Sequence, residues 1–540
     1  MHNLMQDMPL RVGRLIDHAA RFHGKRPLTG RSIEGPIVTS TWTELRIRAL
    51  RVAKKLNADG LGRGDILGVM GWNTLRFLEL WYGIPGCGAA LHTLNPRLAP
   101  EQLVYIINHA GDRMLFVDLD LVPIIARVRD QLPAVRNVVV LTDAAHMPEG
   151  SDGMIAYEEW LAEADGDFDW VQGDERDACG ICYTSGTTGN PKGVVYTHRS
   201  NTLHALAVQS PDMLSLGAAD TLMPVVPLFH ANGWSTAFVG PLSGCALVMP
   251  GRDLTPAGVY EMLEMGVTIT AAVPTVWLGL LSYLDAGDLR FSTLKRVAIG
   301  GSSCPRAVIE RFQNHYGIHV LHAWGMTEMS PIGTICSFKP EVLALSAEER
   351  LDFQETVGHP PFSVDLRIVD EEGHDLPWDG VAQGRLLTKG DAVVRRYLKA
   401  DTDATDAEGW FDTGDMATMT ESGYVRITDR SKDIIKSGGE WISSIALENA
   451  AIAHPEVAEA AAVAWSHPKW GERPVLCVVP RPGTTPDPES IRAALAEHFA
   501  KWQLPDDILF LEELPHTATG KISKLNLRKN LLASGYALGS

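Results

Sequence analysis

From about Thr41 to Pro250, amphipathic helical segments alternate with short apolar runs, and this alternation limits the possible folds more than any other feature. TWTELRIRALRVAKKLNADG and TLRFLELWYGIPGCGA carry apolar residues at helical spacing, whereas DILGVMG and RMLFVDL read as strands. Strands joined through helices run parallel, so an α/β architecture with largely parallel sheets is predicted. VTITAAVP and LKRVAIGG carry the pattern to about residue 330.

After Gly358 the character changes. Alternating strands and Gly turns, from VDLRIVDEEGHDLPWDGVAQGRLLTKG to ESGYVRITDR, suggest a β-rich subdomain. Beyond Arg430, IALENAAIAHPEVAEAA and SIRAALAEHFAKWQ read as helices, and AAVAWS, PVLCVVP and ILFLEEL as strands. At 540 residues the chain exceeds one compact core. The expected division is a large domain over 1–430, β-rich over about 358–430, and a small α/β domain over 431–540. Polar DRSKD at 429–433 is the expected joint.

A formal charge of −18 argues against a broad nucleic-acid surface, which needs clustered Lys and Arg. Seven scattered cysteines, an odd number, argue against a disulfide framework. Cys179 and Cys182 form a C-x-x-C within a strand, where positions three apart point to opposite faces and cannot chelate one metal. No signal-peptide pattern opens the chain, and its least polar runs are broken by Gly and Pro. A cytoplasmic enzyme without an integral membrane segment is expected.

The stretch YTSGTTGNPKGVVYTHRS at 183–200 places glycines, hydroxyls and a lysine directly after an apolar strand. Gly186, Gly189 and Gly193 permit positive φ and close approach to a ligand, and consecutive N–H groups there can form an anion nest. Thr184, Ser185, Thr187 and Thr188 add hydroxyls, and Lys192 adds charge. Asn190 and Pro191 separate Gly189 from Lys192, and Gly193 stands where a Walker A loop needs Ser or Thr, so the loop is a phosphate binder of another kind.

This stretch resembles the signature of the adenylate-forming superfamily: acyl- and aryl-CoA synthetases, luciferases and nonribosomal adenylation domains. Companion motifs follow in order: VPLFHANGW at 226–234, AIGGSSCP at 298–305, HAWGMTE at 322–328, GWFDTGD at 409–415, DRSKDIIKSGGEWIS at 429–443 and LPHTATGKISK at 514–524. The resemblance covers essentially the whole chain. It implies an acid–thiol ligase that consumes ATP with Mg²⁺, forms an acyl-adenylate, and passes the acyl group to CoA after its mobile C-terminal domain rotates.

The resemblance also implies roles. Thr184 and Glu328 would hold the metal, as oxygen donors suited to Mg²⁺. Ser185 to Gly189, Lys192, Gly301, Ser302, His322, Ala323, Trp324, Thr327, Asp415, Arg430, Lys432, Lys436 and Trp441 would surround ATP or AMP. Asp415 would take the ribose hydroxyls, Thr327 the α-phosphate, and Lys432 the hinge. Most family members carry Tyr in place of Trp324, which keeps an aromatic face and loses a phenol.

Lys521 would bridge carboxylate and phosphoryl oxygens where two anions meet; Lys524 reads as its solvated neighbour. His230 would lie at the catalytic centre on the acyl side, with Trp234, Trp277, Gly325 and Met326 lining the acyl pocket. Ser437, Gly438, Gly439 and Glu440 would line the CoA channel.

Local wording is most similar to bacterial ligases of medium-chain and short sulfur-containing acids. It implies 3-(methylthio)propionate as substrate, with short- and medium-chain fatty acids tolerated, and a homodimer. Medium- or long-chain specificity and a carrier-loading adenylation enzyme are the alternatives.

Overall fold

The computed structural model describes residues 4–184, 190–438, 440–517 and 521–538. Its described residues form four sheets. The seven-stranded sheet is parallel until its last pair, where Ala178–Tyr183 meets Gly193–Thr197 antiparallel. The eight-stranded sheet is parallel through its centre and closes antiparallel at each edge.

The helices Gly13–Phe22, Trp42–Ala58 and Leu75–Gly86 lie between these two sheets and share one apolar core with strands of both. Thr41 starts the second of them by accepting the Glu44 N–H, and Thr74 caps the third through Phe77 N–H. A separate core covers the far face of each sheet. The alternation in the sequence therefore becomes layers, with each sheet buried on both faces.

Residues 364–430 form a four-stranded antiparallel sheet, from Val364–Val369 to Val425–Arg430. Past it, the strands Ile435–Ser437 and Glu440–Ile442 begin a five-stranded sheet that carries the helices Ser444–Ile452, Pro488–Ala496 and Lys524–Ala533. Two helices come out shorter than the sequence pattern suggests. The first stops at Ile452 and Val457 already starts a strand, because Pro455 disfavours helical backbone at His454 before it. The second ends at Ala496.

The cysteines are buried and unpaired. Cys179 and Cys182 enter different cores, as opposite faces of one strand require. Among the described residues, no helix is long and apolar enough to cross a membrane.

Candidate active site

The glycine-rich stretch is flanked by the antiparallel pair Ala178–Tyr183 and Gly193–Thr197, and the pair is extended where Thr184 N–H donates to the Lys192 carbonyl at 2.9 Å. Ser185, Gly186, Thr187, Thr188 and Gly189 lie outside the described residues. Lys192 holds its ammonium 4.9 Å above the Tyr397 ring, and the Tyr397 hydroxyl donates to Glu328 Oε1 at 2.8 Å. The 390–398 segment reaches this place by two backbone bonds, Val394 N–H to the Glu328 carbonyl and Leu398 N–H to the Gly193 carbonyl. Burial pushes the Glu328 carboxyl up, while Tyr397, Arg430 and Lys192 pull it back toward its charged form. A buried carboxylate facing two cations, with the Thr184 hydroxyl nearby in sequence to the loop, is a hard-oxygen donor set that fits Mg²⁺.

The cleft wall comes from the parallel strands Arg296–Gly300 and His319–Gly325. Gly301 turns the chain at φ +84°, a conformation that favours glycine. A Cβ there would stand 3.4 Å from Lys521 Cε and 3.7 Å from Trp234 Cζ2, so the two side chains meet over this turn. On Gly300 a Cβ would lie 2.7 Å from the Ala323 carbonyl oxygen and 3.3 Å from Trp234 Cη2. Gly325 is required by contact: its Cβ would fall 2.0 Å from the Pro331 carbonyl oxygen. Met326 follows it, partly buried between two apolar clusters. Thr327 is buried, and its carbonyl accepts the Tyr196 hydroxyl at 2.8 Å. Ser302 is exposed.

Trp324 donates its indole N–H to Asp415 Oδ2 at 2.8 Å, and Arg430 Nε lies 3.5 Å from the other oxygen of that carboxylate. The pairing follows from register, since Asp415 and Arg430 are cross-strand partners. The indole thus supplies a donor to Asp415 although no phenol is present.

Beside the 300–301 turn, residues 231–235 all take positive φ, four of them non-glycine. Such a run costs energy and persists only where its surroundings hold it. Asn232 is held by Nδ2 donating to Asn201 Oδ1 at 3.2 Å, and Thr236 Oγ1 donates to the Gly233 carbonyl at 2.6 Å. The turn sets Trp234 against Gly300 and Gly301. His230 and Thr184 line one small cavity with Tyr183 and Phe229. Burial, and then the charge of Lys521, bring His230 down to about 3, so its imidazole is neutral.

Lys521 arrives from the C-terminal part of the chain. Its turn is fastened by Thr517 N–H donating to the Lys521 carbonyl and Lys521 N–H donating to Thr517 Oγ1. Burial and Arg430 lower its amine to about 8, against the pull of Asp415 and Glu328. Lysine, carboxylates, guanidinium and His230 therefore share one electrostatic centre, built from residues nearly 300 positions apart.

Three expectations need correction. Trp277 does not join Trp234: it packs edge-on against Phe312, with its N–H on the Ala272 carbonyl at 3.2 Å, on the other face of the eight-stranded sheet. Ala271 and Ala298 face Trp234's core, while Ala272 and Ile299 face Trp277's. His322 likewise points away from the face used by Ala323. Its Nε2 accepts Cys304 N–H at 3.3 Å and Nδ1 sits 3.2 Å from the Gln354 carbonyl, with burial holding the ring down at about 4. It braces the 301–305 turn from behind. Lys524 is not a solvated neighbour, because its ammonium is buried 2.6 Å from Glu448 Oε1 and 2.5 Å from Ser444 Oγ.

The remaining C-terminal candidates stay on their own sheet. Lys436 lies 5.8 Å over its cross-strand partner Trp441, and its N–H donates to Glu472. Ser437 Oγ accepts from Arg473, Gly438 N–H donates to the Trp470 carbonyl, and Glu440 is exposed opposite Ser437. Gly439 lies outside the described residues. Partial burial lowers the Lys432 amine. Lys521 meets the cleft while Ser437 and Gly438 are engaged by Arg473 and Trp470. Tyr397 and Ser444 lie in no motif that sequence reasoning used, and Tyr196 and Asp429 lie within quoted motifs that gave them no role.

Residues 16–398 match the model of the AMP-binding enzyme family, and residues 446–521 match the AMP-binding enzyme C-terminal domain. The chain belongs to this family. It is 44% identical over 531 residues to the 3-methylmercaptopropionyl-CoA ligase of Ruegeria lacuscaerulensis, covering 97% of this chain and 98% of that one. It is 43% identical to the medium-chain-fatty-acid–CoA ligase of Ectopseudomonas oleovorans, covering 96% and 95%. The crystal structure of the anthranilate CoA ligase AuaEII with anthranoyl-AMP shares the fold at a TM-score of 0.87 and 24% identity, covering 98% of this chain and all of that one. The expected class, an ATP- and CoA-dependent, AMP-forming acyl-CoA synthetase, is borne out.

Proposed function

We propose that the chain activates 3-(methylthio)propionate, tolerating short- and medium-chain fatty acids, in two steps at the cleft around Lys521. In the first, a substrate carboxylate oxygen bonds to the α-phosphorus of ATP and the bond to the bridging oxygen of pyrophosphate breaks. In the second, CoA sulfur bonds to the acyl carbon, AMP leaves, and the thiol proton goes to solvent. The observation that carries this reading is Lys521, whose Cε would stand 3.4 Å from a Cβ on Gly301 and whose amine feels the charges of Arg430, Asp415 and Glu328.

Lys521 would neutralise the approach of carboxylate to phosphate. Asp415, oriented by Trp324, would accept the ribose hydroxyls. Gly301, Ser302 and Ala323 would border the base, Thr327 and Lys192 the phosphates, and Arg430 the nucleotide beside Asp415. Thr184 and Glu328 would hold Mg²⁺, which when bound screens the phosphate charge. Trp234 and neutral His230, with Gly325 and Met326, would bound the acyl group and favour an apolar acid with one carboxylate.

Residues 1–430 act as one lobe and 431–540 as another, hinged at Lys432. Rotation would withdraw Lys521 and bring Ser437 to Glu440 to the cleft for CoA, with Lys436 and Trp441 beside them. A cytoplasmic homodimer completes the reading, with sedimentation as its check.

The test is a coupled assay across acetate, butyrate, 3-(methylthio)propionate, octanoate and palmitate, run on the wild type and Lys521→Ala. The variant should lose about a hundred- to a thousandfold in adenylate formation. An unchanged rate would refute the mechanism, and a strong preference for palmitate would refute the acid.

A further inference from the structure

Four side chains outside the cleft form one buried polar cluster at the joint between the lobes. Lys524 Nζ lies 2.6 Å from Glu448 Oε1 and donates to Ser444 Oγ at 2.5 Å. Ser444 Oγ in turn donates to the Asp429 carboxylate at 2.8–2.9 Å, and Ser444 N–H donates to the same group at 2.6 Å. Asp429 and Ser444 are almost fully buried. Glu448 also accepts the Ala462 N–H at 2.8 Å.

The distribution of these residues along the chain gives the cluster a direction. Asp429 belongs to the strand Val425–Arg430, ahead of Lys432, whereas Ser444, Glu448 and Lys524 all follow it. Lys524 therefore has one carboxylate partner on its own lobe and reaches a second across the joint through Ser444. The neighbouring contacts run the same way: Ser443 Oγ donates to the Thr428 carbonyl, and Asn449 Nδ2 donates to Ser303 Oγ at 2.9 Å, on the turn that meets Lys521.

Lys524 also stands three residues beyond Lys521. The two residues between them pair back onto the chain before Lys521, with Ile522 bridged to His516 and Ser523 N–H donating to the Pro515 carbonyl at 2.7 Å. The ammonium of Lys524 therefore anchors the chain directly beyond these pairings, three residues from Lys521.

We propose that Lys524, Ser444 and Asp429 act as a positioning latch for the adenylate-forming step. They hold the C-terminal lobe where Lys521 enters the cleft, and they release Asp429 when the lobe turns for thiolysis. This rests on the two-lobe reading above. Glu448 makes the release tolerable: Lys524 keeps a charged partner on its own lobe after Asp429 has gone, so no cation is left buried alone. The geometry is that of an exchangeable carboxylate beside a permanent one.

The test separates the half-reactions. Pyrophosphate release from ATP and 3-(methylthio)propionate without CoA reports the first, and conversion of supplied acyl-adenylate by CoA reports the second. Asp429→Asn removes the exchangeable charge and leaves the Lys524–Glu448 pair intact. Ser444→Ala cuts the relay by a different route, in case the first variant does not fold. Either change should slow pyrophosphate release about tenfold to a hundredfold, the scale of one lost hydrogen bond to a charged group. Thiolysis should stay within about threefold, because its geometry does not need the latch.

Equal losses in both half-reactions, or none in either, would overturn the latch and leave the cluster a fold element. Lys521→Ala in the same assays keeps the two readings apart. If it abolishes pyrophosphate release while Asp429→Asn and Ser444→Ala change both steps alike, only the latch fails. If it spares pyrophosphate release, the proposed function fails with it.

Discussion

Replacing Trp324 by phenylalanine removes one N–H from a carboxylate that has little else to orient it. Asp415 is only 7% exposed, accepts the indole at 2.8 Å, and meets Arg430 at a looser 3.5 Å. A hydrogen bond to a charged group contributes about 1.5–3 kcal/mol, and its loss leaves a buried acceptor short of a partner. At about 1.4 kcal/mol per factor of ten, the variant should lose about 10- to 150-fold in kcat/KM for ATP. The loss should fall on ATP and not on the acid, because the role proposed for Asp415 is to accept the ribose hydroxyls. Trp324 also packs into the core of the four-stranded sheet, so some fall in Tm is expected whatever the effect on ATP. Pyrophosphate release measured against ATP and against acid, with thermal melting of the same samples, separates the two effects. A lower Tm with kcat/KM for ATP within twofold of wild type would refute the reasoning.

Burial and Arg430 bring the Lys521 amine down to about 8, and in the role proposed for it only the charged form would neutralise phosphate and carboxylate. The kcat/KM for ATP in adenylation should therefore fall as pH rises through about 8, and Lys521→Arg should flatten that limb; a wild-type profile level to pH 10 would contradict it. Tyr397→Phe removes the hydroxyl that holds Glu328 toward its charged form. It should raise the Mg²⁺ concentration for half-maximal pyrophosphate release several-fold; an unchanged Mg²⁺ dependence would show that Glu328 is oriented without it.

The amino-acid sequence alone determined the layered α/β architecture, because apolar periodicity is local and each run declares its own element. It also marked the glycine- and hydroxyl-rich stretch at 183–200 by residue type, and the family resemblance added the Trp-Gly-Met-Thr-Glu segment and Lys521. Which side chains meet was decided by tertiary structure. Trp234 and Trp277 are equally bulky and apolar on paper, yet the turn that carries one and the helix that carries the other pack on opposite faces of the eight-stranded sheet. His322 and Ala323 are adjacent on one strand and face opposite ways because strand side chains alternate. Lys521 and Lys524 differ by three positions, but the fold sends one amine to the cleft and the other into a buried ion pair. Tyr397 gained its place from two backbone hydrogen bonds of its segment, one to the distant strand Gly193–Thr197 and one to the helical turn Thr327–Met329. Periodicity is written into neighbouring residues, whereas register, sheet faces and lobe contact join residues hundreds of positions apart, and only folding selects those partners.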